Sequence, residues 1–515
     1  MAVWKPALPL EQLRASERKA VRIGKKQIAL FVVNDGVRAC DNRCPHEGYP
    51  LSEGSVDEDC RLTCNWHNWK FDLTTGENVF GGDALAVYAT RIERGMVLVD
   101  VEEPPAEVRV ERGFARLGEA ADDDDYARLA RELARLAALG VPLEDTVAWS
   151  IARSSEQLEY GMTHAYAAAA DWLALLDESR DETERLVCAL EPVAHVARDT
   201  LRRPCFPYSR ERTQFDADGL CAAIEAENEA LALAMLAPDT ALDDLERALS
   251  RAALAHYADF GHSLIYVQKA FALCRRLGPA VREPVLSSLV RSLVYAQRED
   301  LIPEFRGYGS ALARFGSGAE LPSVVALEAH GVPGALEATV RGSGLEPERL
   351  FSALLEALAE ALLHFDIGWM ARSDRPYSDN VDWLDVTHGI TFAHAVWTQC
   401  RRHPELWPAG LLQMACFVGR NARYLDRDED VSAFSAEPDA YLATARGIVL
   451  DHGEPEPIVS AHLLKTFSAV RALRAAGHEP PALIPGLRRF FETPLPRRHV
   501  RRSARQALAF VAKEG

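Results

Sequence analysis

Two stretches decide the N-terminal fold: CPHEGYPLSEG at residues 44–54 and CNWHNWKFDLTTGE at residues 64–77. Each begins with a cysteine that is followed within three residues by a histidine, and the four residues are Cys44, His46, Cys64 and His67. Two thiolates and two imidazoles can hold either a structural zinc ion or a [2Fe–2S] cluster. In such a cluster the thiolates bind one iron and the imidazoles bind the other, which raises the reduction potential above that of an all-cysteine cluster.

The residues around the two pairs distinguish between these alternatives. Small, aromatic and turn-forming residues follow them: Pro45, Gly48, Pro50, Leu51, Gly54, Trp69, Phe71, Asp72, Thr75 and Gly76. In this pattern and spacing the stretches resemble the cluster-binding loops of the Rieske family. Tyr49 and Trp66 stand where Rieske proteins of respiratory complexes carry disulfide cysteines, so the resemblance is to the oxygenase and ferredoxin branch. It implies that the four Cys and His residues bind a [2Fe–2S] cluster.

Bulk composition narrows the class of protein. At 515 residues the chain is too long for one hydrophobic core, which predicts more than one domain. A net charge of −18 argues against nucleic acid or an anionic membrane as a partner. The start lacks a signal-peptide pattern and no apolar run reaches about 18 residues, so we expect a soluble cytoplasmic protein. The ten cysteines are too few for a disulfide scaffold.

Patterning divides the chain into three predicted parts. Residues 1–103 show short alternating stretches, which predict the small antiparallel β-sandwich of a Rieske domain. Residues 104–125 contain two prolines and an acidic run, and we predict a linker whose acidic run caps the next helix rather than binding metal. Residues 126–515 have helical periodicity, which predicts a large all-α domain. The resemblance of residues 1–103 to Rieske domains implies that this helical part is the catalytic domain. The predicted fold class is multidomain, with a small all-β Rieske sandwich followed by a large all-α domain.

A Rieske cluster transfers single electrons, so a large domain fused to it is expected to contain an electron acceptor. In Rieske ring-hydroxylating oxygenases the acceptor is a mononuclear non-haem iron bound by an Asp-x2-His-x4–5-His run. Asp385, His388 and His394 match that run. On a regular helix, however, the two histidines lie about 240° apart around the axis and cannot bind one ion. A sheet in this region would favour the conventional triad, and a helix would argue against it.

A second set of candidates is compatible with helices. His164, His262 and His388 each lie in a predicted helix beside small residues. Asp259 and Asp385 precede the second and third of these histidines by three residues. Each aspartate therefore shares a helix face with its histidine, and could orient the imidazole or bind the metal directly.

Later in the chain, His462 and Lys465 lie on one face of a predicted helix. Helices with a His-small-x-x-aromatic pattern and a late His-x-x-Lys resemble the questin oxidase-like family, non-haem iron enzymes that oxidise aromatic polyketides. The resemblance implies five ligands, the last a carbamylated lysine: His164, His262, His388, His462 and Lys465. An isolated histidine in a helix is equally consistent with an ordinary core or surface residue. If one of the four named histidines is not a ligand, His256 and His364 are the next candidates.

The predicted activity follows from these two sites. No dinucleotide or phosphate-binding motif is recognisable, so electrons are expected from an external NAD(P)H-dependent reductase or a ferredoxin. The favoured hypothesis is a Rieske-type oxygenase in which a [2Fe–2S] cluster supplies a mononuclear non-haem iron that activates O₂ to oxidise a small organic substrate, aromatic or polyketide-like by the second resemblance. A homo-oligomer is expected if a neighbouring subunit supplies the cluster. Two alternatives stay open: a conventional ring-hydroxylating oxygenase, and an electron-transfer or redox-sensing protein with a helical interaction domain.

Overall fold

The computed structural model describes residues 2–34, 36–494 and 499–514. The chain forms two compact units that meet at the Val141–Pro142 bond. Unit 1 comprises the residues up to 141, and unit 2 comprises the residues from 142 onward.

The described part of unit 1 contains eleven strands in three antiparallel sheets. The strands are β1 Trp4–Pro9, β2 Arg18–Ile23, β3 Lys26–Val33, β4 Gly36–Asp41, β5 Ser55–Val56, β6 Arg61–Thr63, β7 Lys70–Asp72, β8 Asn78–Phe80, β9 Val87–Tyr88, β10 Thr90–Glu93 and β11 Met96–Asp100. The strand orders are β1-β11-β10, β2-β3-β4-β9 and β5-β6-β7-β8. The predicted all-β domain is confirmed.

Strand β3 separates two hydrophobic cores, because successive side chains of a strand point to opposite faces. Ala29 and Phe31 face a core that also contains the buried thiols of Cys44 and Cys64. Ile28 and its neighbours on the opposite face pack in a second core. The first core therefore supports the loop after β4 and the β6–β7 loop, which carry the two Cys-His pairs.

The described residues of unit 1 also form three α-helices: α1 Leu10–Ser16, α2 Ala106–Asp122 and α3 Tyr126–Ala138. The segment 104–125, predicted as a linker, is therefore mostly helix, and the structure differs from the prediction here. Pro105 precedes the first helical residue, where proline is compatible with a helix, and Gly113 lets α2 approach Leu136 of α3 closely. The predicted cap is confirmed, since the Asp125 side chain accepts a hydrogen bond from the backbone N–H of Arg128.

The described residues of unit 2 form nineteen α-helices and no strand, so the predicted all-α region is confirmed. The helices are α4 Leu143–Ser154, α5 His164–Asp177, α6 Glu182–Thr200, α7 Ala217–Glu225, α8 Glu229–Ala234, α9 Leu242–Leu254, α10 His262–Leu277, α11 Pro279–Val294, α12 Gly307–Ala313, α13 Val324–Glu328, α14 Gly331–Arg341, α15 Pro347–His364, α16 Gly368–Ala371, α17 Trp383–Arg402, α18 Trp407–Asn421, α19 Pro438–Leu450, α20 Pro457–Ala475, α21 Leu483–Glu492 and α22 Val500–Val511. Among the described residues, none of the chain's helices combines the length and apolar character that crossing a membrane requires.

Four helices of unit 2 form a closed ring in which α5 packs on α10, α10 on α17, α17 on α20, and α20 on α5. The ring helices α5 and α10 run in the same direction. Nε2 of His164 on α5 lies 3.1 Å from Nε2 of His262 on α10, and seven residues later Asp171 Oδ1 lies 2.7 Å from Lys269 Nζ. The helix after each ring helix packs against it, namely α6, α11, α18 and α21, and short connections make such pairs antiparallel. Residues near the starts of α5, α10, α17 and α20 therefore lie at the same level of the ring, which we call the ring layer.

Candidate metal centres

The two Cys-His loops of unit 1 are built alike. The Cys44 N–H donates to the Tyr49 carbonyl at 2.9 Å, and the Gly48 N–H donates back to the Cys44 carbonyl at 2.8 Å. The second loop repeats this pattern, with bonds of 2.8 Å and 3.0 Å among Cys64, Asn68 and Trp69. Gly48 and Asn68, at equivalent positions, both have φ in the left-handed region, at 77° and 62°. Both loops therefore turn tightly about their cysteine, and this local geometry follows from short-range sequence.

The loops bring the four predicted ligands together. Both cysteines are buried, and the Nδ1 atoms of His46 and His67 lie 3.1 Å apart at the surface. Burial raises the pKa of the Cys44 thiol to about 11, with the neighbouring Cys64 acting in the same direction. The thiolate form that iron requires is therefore favoured only when a cation lies beside it. Two buried thiols beneath two facing imidazoles fit the donor set of a Rieske [2Fe–2S] cluster.

A second group of polar side chains lies near the starts of the four ring helices of unit 2. These side chains are His164 on α5, His262 on α10, His388 on α17, and His462 and Lys465 on α20. His164, His388 and His462 each offer a nitrogen, and these three nitrogens lie within 4.8 Å of one another. The structure thus brings together all five residues that the sequence selected, although they are spread over about 300 positions of the chain.

Backbone carbonyls of the preceding helical turn hold three of the imidazoles by Nδ1. The pairs are His262 with Asp259, His388 with Leu384 and His462 with Ile458, the last at 2.7 Å. Because a carbonyl only accepts hydrogen bonds, each Nδ1 carries the proton and each Nε2 carries a lone pair. This is how proteins fix the tautomer of metal-binding histidines.

The Nε2 atoms then face one another without a proton to share. Nε2 of His388 lies 2.7 Å from Nε2 of His262, and Nε2 of His462 is buried with no hydrogen-bond partner among the residues that the structure describes. Two lone pairs at this distance repel each other unless a cation lies between them. Ligand nitrogens on one transition metal, each about 2.1 Å from it, are about 3.0–3.4 Å apart. The His164–His262 and His262–His388 nitrogens, 3.1 Å and 2.7 Å apart, are close to that spacing. The donor set of neutral imidazoles suits a divalent transition metal.

Electrostatics keep the donors of this group neutral. Burial, and then the charge of Lys465, lowers the pKa of His388 well below its ordinary value and that of His262 to about 3. Burial also lowers the pKa of Lys465 well below the usual lysine range, while the charge of Asp171 opposes that shift. A neutral imidazole and a neutral amine are the forms that bind a metal ion.

Comparison with known proteins assigns unit 1. The Rieske [2Fe–2S] domain family matches residues 3–86. The anthranilate 1,2-dioxygenase ferredoxin subunit of Burkholderia cepacia is 32% identical over 103 residues, which are 20% of this chain and 94% of that protein. The chain belongs to the Rieske [2Fe–2S] family. The predicted resemblance to ferredoxin and oxygenase Rieske domains is therefore confirmed.

Two further similar proteins each cover one fifth of the chain or less. The 4β-methylsterol monooxygenase of Methylococcus capsulatus is 44% identical over 62 residues, 12% of this chain and 16% of that enzyme. A solved structure, the ferredoxin of carbazole 1,9a-dioxygenase from Nocardioides aromaticivorans, is 20% identical with a TM-score of 0.19 and covers 20% of this chain and 100% of its own. The resemblance of unit 2 to the questin oxidase-like family stays a prediction.

The two aspartates predicted to assist the histidines have other partners in this Rieske protein. Asp259 accepts a bond from the Gln297 N–H at 2.9 Å, and only its backbone carbonyl binds His262. Asp385 accepts a bond from Arg420 at 3.0 Å and caps α17 through the N–H of Asp382 at 2.9 Å. The carboxylates were thus wrongly expected to touch the imidazoles, because each is closer to a competing donor. They hold the backbone that presents the histidines.

The remaining sequence candidates lie elsewhere. Asp385, His388 and His394 all belong to helix α17, and His394 lies 3.2 Å from Gln268 rather than beside His388, which argues against the conventional triad. His256 is held between Glu225 and Asp300, each at 2.7 Å. His364 bonds the Asp426 carbonyl at 3.2 Å.

Two groups that support the cluster of His164, His262, His388 and His462 could not be predicted from the sequence. The buried Arg420 lies over the Phe260 ring at 4.6 Å and binds Asp385. It therefore links the chain segment that precedes His262 to the one that precedes His388. The buried Asp171–Lys269 pair lies two helical turns from the ring layer. Both depend on contacts between helices distant in sequence, which periodicity does not reveal.

Proposed function

We propose that this Rieske protein is an O₂-dependent oxidoreductase. Its [2Fe–2S] cluster would be bound by the Cys-His loops of unit 1, and a mononuclear iron would be bound in the ring of unit 2 by His164, His262, His388, His462 and Lys465. The observation that carries the proposal is the convergence of these side chains. Neighbouring nitrogens of His164, His262, His388 and Lys465 lie 2.7–3.1 Å apart, and His164, His388 and His462 each offer a nitrogen within 4.8 Å of the other two. An iron bound there would supply O₂ activation for oxidation of an organic substrate.

The protein's own groups prepare both centres for this chemistry. Backbone carbonyls fix the tautomers of His262, His388 and His462, and burial keeps their Nε2 atoms free of protons. The helix starts that surround the layer carry partial positive charge. That field favours an anionic ligand at the centre, and a carbamate on Lys465 would be such a ligand.

Electrons would enter through unit 1. His67 is exposed and His46 is partly exposed, so an imidazole edge is open to an external donor. A ferredoxin or an NAD(P)H-dependent reductase is the proposed donor, since no dinucleotide motif is recognisable in the sequence. The substrate we propose is aromatic or polyketide-like, which rests on the resemblance of unit 2 to questin oxidase-like enzymes.

Metal analysis of the full-length protein tests the proposal. We expect about three irons per chain, two from the cluster and one from the ring. His262→Ala and His388→Ala should each lower the content toward two irons and leave the absorption and EPR signals of the cluster unchanged. His256→Ala is the matched control, because its imidazole is paired with two carboxylates outside the layer.

Two irons and no further metal in the unmodified protein would contradict the proposal. That result would favour an electron-transfer or redox-sensing protein whose helical unit binds a partner. Loss of the third metal in His256→Ala, with retention in the other two variants, would show that the ring layer is the wrong site.

A further inference from the structure

A buried carboxylate follows the cluster loops of unit 1. The Asp83 side chain is 1% exposed and is surrounded by arginines of α3. Arg128 Nε lies 3.0 Å from Oδ1, Arg131 Nε lies 2.9 Å from Oδ2, and Arg135 Nη2 lies 3.8 Å from Oδ2. The family match ends at residue 86, and α3 lies beyond it. An ion cluster this well shielded holds its partners in fixed positions, since separating them would leave buried charges unpaired.

The loop that carries Asp83 packs directly on Trp69. A Cβ atom at Gly81, where φ is +135°, would come within 2.4 Å of the indole, and one at Gly82 would lie 3.5 Å from it. A Cβ atom at Gly82 would also lie 3.7 Å from the Arg128 side chain. Gly81 thus lets the backbone approach the indole closely, whereas a Cβ at Gly82 would only be in ordinary contact with it. The ion pairs of Asp83 hold the loop in that position.

Trp69 in turn contacts a cluster ligand. Its ring stacks on the His46 imidazole with centroids 4.5 Å apart and planes at 14°. The orientation of a ligand imidazole and its shielding from water both tune the potential of an iron–sulfur centre. A continuous series of contacts therefore joins α3 to His46 through Asp83, the glycine loop and Trp69.

We propose that Asp83 is a positioning residue for the [2Fe–2S] cluster. Held by Arg128 and Arg131, it presses the 81–83 loop onto Trp69 and so fixes the orientation of His46 and excludes water from one face of its ring. This role depends on the Rieske assignment of unit 1 and not on the metal site proposed for unit 2.

The midpoint potential of the cluster in the full-length protein tests this role. If Asp83 acts through Trp69, Asp83→Asn and Arg128→Met both loosen the loop and let water reach His46. Water stabilises the reduced cluster, which carries one more negative charge, so both variants should shift the potential upward and alter the EPR spectrum in the same way. If only charge mattered, the shifts would be opposite: upward for Asp83→Asn and downward for Arg128→Met.

Glu119→Gln is the matched control. Its carboxylate also pairs with Arg128, at 2.5 Å, but Glu119 lies on α2 and its side chain is 62% exposed. We expect an unchanged potential and spectrum. If Arg128→Met fails to fold, Arg131→Met removes one ion pair of Asp83 and should give a smaller upward shift. Opposite shifts, or a lowered melting temperature with an unchanged potential and spectrum, would overturn the proposal.

Discussion

The amine of Lys465 lies 3.1 Å from Nε2 of His388, and both side chains are buried in the helix ring of unit 2. Burial lowers the pKa of Lys465 well below the usual range, so a neutral amine faces a lone-pair nitrogen. Either a proton or a metal ion has to lie between them. This contact makes Lys465 the decisive residue for the proposed second metal.

Replacing the amine tests its role as a ligand. Lys465→Met keeps most of the side-chain volume and removes the donor, and we expect metal affinity at the ring to fall by about 10- to 100-fold or more. Titration of the metal-depleted protein with Fe²⁺ measures this. Arg471→Met, on the same helix and paired with Glu178 at 2.8 Å, should bind iron normally. Equal affinity in both variants would remove Lys465 from the ligand set.

Carbamylation of Lys465 is a separate prediction. A neutral lysine amine can attack CO₂, forming an N–C bond and releasing one proton, and the product is an anionic carbamate. We expect protein equilibrated with ¹³C-bicarbonate to show a carbamate carbon signal that Lys465→Met lacks. Lys26→Met, which removes a lysine paired with Glu103 in unit 1, should keep the signal. A spectrum without any carbamate signal would contradict the prediction.

The neutral histidines predict a pH dependence of stability in the metal-free protein. Burial lowers the pKa of His262 to about 3, whereas an unfolded histidine has a pKa near 6.5. Between these values the unfolded state binds more protons, so stability falls as the pH falls. Each such histidine contributes about 1.4 kcal/mol per pH unit to that slope.

His262→Gln should therefore reduce the slope of the unfolding free energy by about 1.4 kcal/mol per pH unit within that window. Urea unfolding followed by circular dichroism over a pH series measures it. His330→Gln, which changes an exposed histidine, is the control and should keep the original slope. A slope unaffected by His262→Gln would mean that this imidazole is not held neutral in the folded protein.

The turn before His262 predicts a sensitive glycine. Gly261 has φ +76°, and a Cβ atom there would lie 2.5 Å from the Phe392 ring. We expect Gly261→Ala to lower the free energy of unfolding by about 1–3 kcal/mol and to weaken iron binding, because the turn carries His262. Gly447→Ala on α19 meets no atom within 4 Å and should be neutral or stabilising by up to about 1 kcal/mol.

Arg420 is predicted to matter without touching the metal. Arg420→Met leaves Asp385 without its guanidinium partner and removes the contact with Phe260. We expect about a tenfold loss of metal affinity, typical for residues that orient ligands, with a stability loss of about 1–3 kcal/mol. Arg423→Met, whose guanidinium lies over Tyr424, is the nearby control and should bind iron like the unmodified protein. Unchanged affinity in Arg420→Met would limit Arg420 to a structural role.

The Rieske loops of unit 1 are predictable from the amino-acid sequence alone. Each Cys-His pair lies in a loop closed by hydrogen bonds within six residues, such as Cys44 to Tyr49, so short-range sequence specifies both the ligands and their geometry. The all-α character of unit 2 was also readable, because it depends on periodicity along each helix. Helix α2 is not predictable in this way, because the two prolines and the acidic run at its ends are typical of a linker.

The convergence of the candidate metal ligands in the ring layer of unit 2 could be seen only in the tertiary structure. The sequence selected His164, His262 and His388 as candidates, but only the closed ring of α5, α10, α17 and α20 brings their nitrogens together. The same holds for the roles of Asp259 and Asp385: helix spacing predicted carboxylate–imidazole contacts, whereas Gln297 and Arg420 bind those carboxylates instead. Which donor an acceptor meets is decided by packing between distant helices, and the spacing of residues along one helix carries no information about it.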